Sequence, residues 1–209
     1  MVVDDVMVKT LYTIGPAETL ERALHLMVEH EIRHLPVIDG KELLGIITES
    51  DIRGAFIGET QPASPLDPAR MKIRDHMTRD PLVVFPETSV EDAALMIYQN
   101  KIGALPVVNR SGLVGIISIM DLLGLFVDMM GILHSSSRID VSMHKDPQNF
   151  EKVSGIIHEA GMSIISVGMA PHKKSDLKRV YFFRVDLCET KGLVHQIEKA
   201  GFEVINAVD

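Results

Sequence analysis

Apolar residues fall at Leu20, Ala23, Leu24, Met27 and Val28, and again at Val90, Ala93, Ala94, Ile97 and Tyr98. Both sets follow the i, i+3, i+4, i+7, i+8 spacing of one helical face. Thr19 and Ser89 precede them at the N-cap position. Each predicted helix has a β-like opening before it, Leu11 to Ile14 or Leu82 to Phe85, closed by a Pro. Each is followed by a short apolar strand (Leu35 to Ile38, Leu105 to Val108) and a turn (Asp39-Gly40, Asn109-Arg110-Ser111-Gly112). A second strand then runs Leu43 to Thr48 or Leu113 to Ser118, and a last helix begins near Glu49 or Ile119.

These parallels share one register. A shift of 70 residues carries Met7 onto Met77, Pro16 onto Pro86 and Leu35-Pro36-Val37 onto Leu105-Pro106-Val107. It also carries Gly45-Ile46-Ile47 onto Gly115-Ile116-Ile117, Asp51 onto Asp121 and Phe56 onto Phe126, with no gap. The chain therefore contains a duplicated β-α-β-β-α unit of about fifty residues, and repeat logic applies before any other. A unit this small buries little surface alone. Two copies packed sheet against sheet would share one core. Gln61 to Pro68, rich in Pro and Ser, reads as the linker between them.

After the polar stretch His134 to Ser137 the pattern changes. Ile139, Val141 and Met143 alternate as a strand, and Asp146-Pro147 opens a helix marked by Phe150, Val153 and Ile157 and ended by Gly161. Strands follow at Ile164 to Met169 and Arg179 to Leu187, around a loop at Pro171 to Lys178. A helix with Leu193, Val194 and Ile197 closes at Gly201, and Glu203 to Ala207 is the last strand. The order βαββαβ is ferredoxin-like. The fold class is thus α/β (α+β), with units expected at 1–60, 70–133 and 137–209.

Composition narrows the function. The 209 residues are 46% hydrophobic and 24% charged, with 5% aromatics and no Trp, so the cores are aliphatic. One cysteine, Cys188, excludes an internal disulfide framework and reads as a small hydrophobe in a reducing compartment. Asp4 and Asp5 stand where a signal peptide would be basic, and Leu122 to Leu133, interrupted by Asp128, is shorter than the roughly 20 residues of a membrane span. A cytoplasmic protein is expected. The net charge of −8 sits in residues 1–130, which hold 19 acidic and 11 basic side chains; residues 131–209 hold 10 of each. Such an acidic surface repels a phosphate backbone and argues against nucleic acid. Lys173, Lys174, Lys178 and Arg179 form a weak basic cluster that reads as a solvated loop.

Candidate chemistry is concentrated at the two strand ends. Gly45-Ile46-Ile47-Thr48 and Gly115-Ile116-Ile117-Ser118 each end in a hydroxyl residue, and an acid, Asp51 or Asp121, follows three positions later. This is the spacing of a capping box. It is also a site where helix N–H groups can meet an anion while a carboxylate accepts both hydroxyls of a ribose. Both readings stand. His30-Glu31-Ile32-Arg33-His34 spells the zinc-hydrolase pattern H-E-x-x-H, which needs both imidazoles on one helical face. Pro36 ends the helix too early for that, and the second copy has Asn100 and Ala104 in place of His30 and His34. No nucleophile elbow, Gly-rich phosphate loop or metal-ligand cluster is present, so no catalytic or metal residue is assigned. The Asp128-Met129-Met130 helix is expected to pack against a partner or the other repeat.

Ile32-Arg33-His34-Leu35-Pro36-Val37, Ile102-Gly103-Ala104-Leu105-Pro106-Val107 and the two Gly-Ile-Ile-(Thr/Ser)-x-x-Asp segments resemble cystathionine β-synthase (CBS) domains over residues 1–130. The pair resembles a Bateman module. The resemblance implies an adenosine-containing ligand (AMP, ADP, ATP or S-adenosylmethionine) in two clefts that mix the repeats, and no obligatory cofactor. By the same resemblance Asp121 and Ser118 would face Thr10, Tyr12, Arg33 and His34. Asp51 and Thr48 would face Asp80, Leu82, Gly103 and Ala104. Arg33 would favour phosphate in the Asp121 cleft. Ile119-Met120, where the first copy has Glu49-Ser50, departs from polarity at that point. The resemblance further implies a homodimer formed through helices and a regulated protein target. Residues 137–209, with Asp146-Pro147 and Gly161-Met162-Ser163-Ile164, resemble an ACT domain, which implies dimerisation or a second, amino-acid ligand near the first helix. Gln148 stands where that family favours Gly, and Asn149 follows it. A CBS pair followed by an ACT domain resembles the acetoin-utilisation protein B family. The expected function is non-catalytic metabolite sensing. The alternatives are an interaction module without ligand and, more distantly, a zinc hydrolase.

Overall fold

A computed structural model of the chain describes residues 1–57, 67–173 and 176–209. The expected linker, but for Asp67 and Pro68, lies outside the described residues, as does Lys174 of the basic cluster. The chain divides into two compact units, Met1–Leu123 and Gly124–Asp209.

In the first unit each copy forms the expected helices and the expected hairpin. Copy one holds α1 (Leu20–Glu29), β1 (His34–Asp39), β2 (Glu42–Thr48) and α2 (Glu49–Ile57). A short α3 (Ile73–His76) and β3 (Thr78–Arg79) then lead into α4 (Val90–Asn100), β4 (Ala104–Asn109), β5 (Gly112–Ser118) and α5 (Ile119–Met129), a helix within which the first unit ends at Leu123. Thr19 and Ser89 cap α1 and α4, accepting from the N–H groups of Arg22 and Asp92 at 3.3 and 3.0 Å. The hairpins β1–β2 and β4–β5 pair antiparallel, with the same register shift after Val37 and Val107.

Three expectations are corrected. The opening segments do not form strands: only Ile14 and Val84 pair, each through a parallel bridge to Val37 or Val107. Proline is the reason. Ile14 donates to the Pro36 carbonyl and accepts from Ile38, so the next ladder bond would come from the Pro36 nitrogen, which has no hydrogen. Pro106 ends the Val84 ladder in the same way. The buried helical faces are also narrower than the spacing suggests. Leu20, Ala23, Leu26 and Met27 are buried on α1, whereas Val28 is 78% exposed, as is its counterpart Tyr98 on α4 at 82%.

Third, the two copies do not share one core. One cluster gathers Ile14, Leu20, Leu35, Val37 and Ile47 with Ile73 and Met77. The other gathers Val84, Leu105, Val107 and Ile117 with Val3 and Met7. The copies have exchanged their leading segments. β3 pairs with β2, and Val8 bridges Ile116. Gly45 and Gly115 permit the crossing: a Cβ on Gly45 would lie 2.6 Å from the Thr78 carbonyl oxygen, and one on Gly115 3.1 Å from the Met7 Cγ. Each fully buried Leu or Ile here contributes about 1.5–3 kcal/mol.

In the second unit β6 (Ser136–His144), α6 (Pro147–Glu159), β7 (Ile164–Pro171), β8 (Lys178–Asp186), α7 (Thr190–Lys199) and β9 (Glu203–Val208) follow the expected order. The antiparallel sheet runs β7-β8-β6-β9, which is the ferredoxin-like arrangement. Ile139, Val141 and Met143 face a core with Val153, Ile157, Phe183, Leu193 and Ile197. On β6, Arg138 forks onto Asp140 at 2.7 and 3.1 Å and lies over the Phe182 ring.

Candidate functional site

The two strand-end boxes are built alike. The Thr48 N–H and hydroxyl donate to Asp51 Oδ2 at 2.9 and 2.7 Å, and the Asp51 N–H donates back to Thr48 Oγ1 at 3.1 Å. In the second copy the Ser118 N–H and hydroxyl donate to Asp121 Oδ2 at 2.7 and 2.6 Å, and the Asp121 N–H returns to Ser118 Oγ at 3.4 Å. Both boxes are half-buried. The capping reading therefore holds, and it does not compete with the binding reading. Capping occupies Oδ2 and fixes the carboxylate rotamer; among the described residues no hydrogen bond reaches Oδ1 of either aspartate.

The other expected residues surround these boxes unequally. The His34 ring lies against Gly103, with its Cε1 2.8 Å from where a Cβ would stand, and so joins the repeats. Burial pushes the His34 imidazole below its ordinary pKa, while Asp51 and Asp121 both pull it upward and Arg33 opposes them. Arg33 points to solvent and pairs with Glu49 at 3.7 Å. Gly103 and Arg33 play the same backbone role, accepting from the N–H groups of Ile119 and Glu49 at 3.0 Å. Ala104 is buried, while Thr10 and Leu82 are exposed. Asp80 is exposed and takes a left-handed φ of 46°. Tyr12 is 38% exposed and stacks on His30, with centroids 3.6 Å apart. Sequence reasoning overlooked Glu49, which holds both Arg33 and Arg53. The Glu49–Arg53 spacing of four on a helix was the available signal.

The H-E-x-x-H reading fails on geometry. α1 ends at Glu29, His30 is its C-cap and Glu31 has a left-handed φ of 54°. His34 belongs to β1, so the two imidazoles do not share a helical face. His30 is engaged by Tyr12 and His34 by Gly103. Among the described residues no group of three His, Cys, Asp or Glu is placed to hold a metal ion.

In the second unit Asp146 caps α6 by accepting from the Gln148 N–H at 3.0 Å, and the Asn149 amide donates to the His144 carbonyl at 3.5 Å. His158, Gly161, Met162, Ser163 and Ile164 line an open hollow of about 360 Å³ after that helix rather than before it. Cys188 is partly buried, and its N–H donates to Ser137 Oγ at 2.9 Å. Lys178 pairs with Glu203 at 3.3 Å. No described helix is long and apolar enough to cross a membrane.

The CBS domain profile matches residues 3–58 and 73–128. The chain belongs to the CBS-domain family. Its CBS pair is similar to a protein from Vibrio cholerae named for acetoin utilization, at 32% identity and a TM-score of 0.53 over 61% of this chain and 91% of that one. It is similar too to the CBS domain pair of protein MJ0100 in complex with 5′-methylthioadenosine and S-adenosyl-L-methionine, at 27% identity and a TM-score of 0.53 over 60% of this chain and 99% of that one. An inosine-5′-monophosphate dehydrogenase of Methanocaldococcus jannaschii is 26% identical over 97% of this chain, which spans 41% of that enzyme's length.

Proposed function

We propose that the protein is a non-catalytic regulator whose CBS pair binds an adenosine-containing ligand. The carrying observation is the mirrored pair of boxes, each presenting a carboxylate fixed through Oδ2, with no hydrogen bond to its Oδ1 among the described residues. A carboxylate so held suits the two hydroxyls of a ribose. A similar CBS pair was captured with two adenosyl compounds, which supports the ligand class. The Asp121 cleft is assigned the tighter hold on phosphate by the family resemblance, which sets Arg33 opposite Asp121; for this Arg33 would have to leave its exposed pairing with Glu49. The ferredoxin-like unit is assigned to the ACT type, serving dimerisation or a second metabolite. A homodimer, a cytoplasmic location, a regulated protein partner and a part in acetoin utilisation belong to the same reading. A ligand regulates only if it binds two arrangements of the protein differently.

Titration of the full chain with AMP, ADP, ATP and S-adenosylmethionine, read by calorimetry and thermal melting, tests this. Saturation at about a hundred times Kd stabilises by about 2.7 kcal/mol and raises Tm by several degrees. Neither heat nor a Tm shift at millimolar concentrations of all four would leave the interaction-module reading. That reading draws on the same boxes, whose Oδ2 atoms are already satisfied by protein.

A further inference from the structure

The two repeats match closely except where they meet. β1 and β4 begin at equivalent residues, His34 and Ala104, and each of these faces the end of its hairpin partner, Thr48 or Ser118. The preceding residues are Arg33 and Gly103. A fully symmetric pair would bring two equivalent side chains into the middle. This chain brings one. The His34 ring rests on the backbone of Gly103, which has no left-handed φ to require glycine; what the position supplies is room for the ring. On the other side Ala104 is too small to reach back.

The ring is half-buried, and the charged groups acting on it are Asp51 from α2, Asp121 from α5 and Arg33 beside it. The imidazole thus stands between the two boxes, its residue paired opposite Thr48 and its ring against Gly103, the neighbour of Ala104, which pairs opposite Ser118; both carboxylates act on its charge. A neutral imidazole has one N–H and one lone pair. Held against Gly103, it can offer that N–H toward one carboxylate's cleft at a time.

We infer that His34 is a single imidazole shared by both clefts, so that an adenosine-containing ligand in one weakens binding in the other. This rests on the ligand class proposed above. When the first ligand draws the ring toward it, the second cleft meets the ring without its donor. Coupling between sites reciprocally changes both affinities, commonly by about 5- to 150-fold.

The test compares sums. Asp51→Asn and Asp121→Asn retain a capping oxygen and each leave one cleft intact. Calorimetric titration of the full chain with AMP and with S-adenosylmethionine gives the affinity of each cleft alone. The expected wild-type isotherm is not the sum of these two: its second step is about tenfold weaker than the same cleft measured alone. His34→Ala restores additivity. Gly103→Ala, whose methyl displaces the ring, does the same and serves if His34→Ala unfolds. Additive wild-type binding overturns the inference, as does non-additivity that survives both substitutions. Silence of the wild type toward both compounds overturns the ligand proposal itself, and is told apart because no isotherm then exists.

Discussion

At the scale of single residues, one carboxylate carries two duties, and substitutions separate them. Ser118→Ala removes the cap of α5 and one of the two bonds that hold Asp121 Oδ2, so it should cost about 1 kcal/mol of stability and weaken ligand affinity less than loss of the carboxylate itself. Asp121→Ala removes the cap's reciprocal partner and the ribose acceptor together. It should cost a similar amount of stability and weaken nucleotide binding by tenfold or more, on the scale of about 1.5–3 kcal/mol for a bond to a charged group. Chemical denaturation and calorimetry on both variants check this; equal loss of affinity in the two would remove the distinction. His34 adds a pH term. Its imidazole is held below the ordinary 6.5, chiefly by burial. The unfolded chain therefore takes up a proton near 6.5 while the folded chain stays neutral to lower pH. The stability so contributed is fully present above 6.5 and is lost as pH falls from there through the folded value. Urea midpoints at pH 7.5, 6.5 and 5.5 should fall more steeply in wild type than in His34→Asn; parallel curves would refute the assignment.

At the scale of elements, the exchange of leading segments makes each repeat incomplete without the other. Gly115 lies under Met7, and Gly45 under Met77 and Thr78. Gly115→Ala should therefore destabilise the first unit by about 1–3 kcal/mol through overpacking. Gly54→Ala, with nothing within 4 Å of its Cβ, should be neutral or stabilising. Thermal melting of the two variants decides it. Much of this unit was legible in advance. The 70-residue register identified Met7 with Met77 and Gly45 with Gly115, and both hairpins, both caps and both boxes follow from it. Self-similarity says which residues are equivalent, however, and not which copy each packs upon, so the exchange stayed hidden. The short bridges at Ile14 and Val84 stayed hidden too, because they depend on which edge of β1 and β4 the proline nitrogen faces. Periodicity placed Val28 and Tyr98 at the margin of a buried face, and only the packing decides a margin. In the site, Thr48, Asp51, Ser118 and Asp121 were legible as local spacing. The His34–Gly103 and Tyr12–His30 contacts were not, since each is fixed by elements brought together only on folding.

At the scale of the whole molecule, α5 is the element out of balance with its surroundings. A helix of a folded protein normally buries its apolar stripe. This one has no buried residue, and Met120, Leu123, Phe126 and Met129 are 69, 48, 54 and 65% exposed at spacings of three. Steps of three wind around an α-helix, so these side chains run from one side of α5 at Met120 to the opposite side at Met129, on a chain with eight excess negative charges, a charge that by itself favours staying apart. A helix with this much exposed apolar surface is a candidate interaction site. The proposed homodimer would cover it with its own copy in a twofold, self-complementary contact. Sedimentation velocity over a hundredfold range of concentration should then show a monomer–dimer equilibrium in wild type. Met120→Asp combined with Phe126→Asp should leave a monomer whose melting temperature is no longer concentration-dependent. The solvent-facing position of both side chains in the single chain means that the double variant still folds. A wild type that sediments as a monomer throughout, or a dimer indifferent to both charges, would show that α5 is not the homodimer contact.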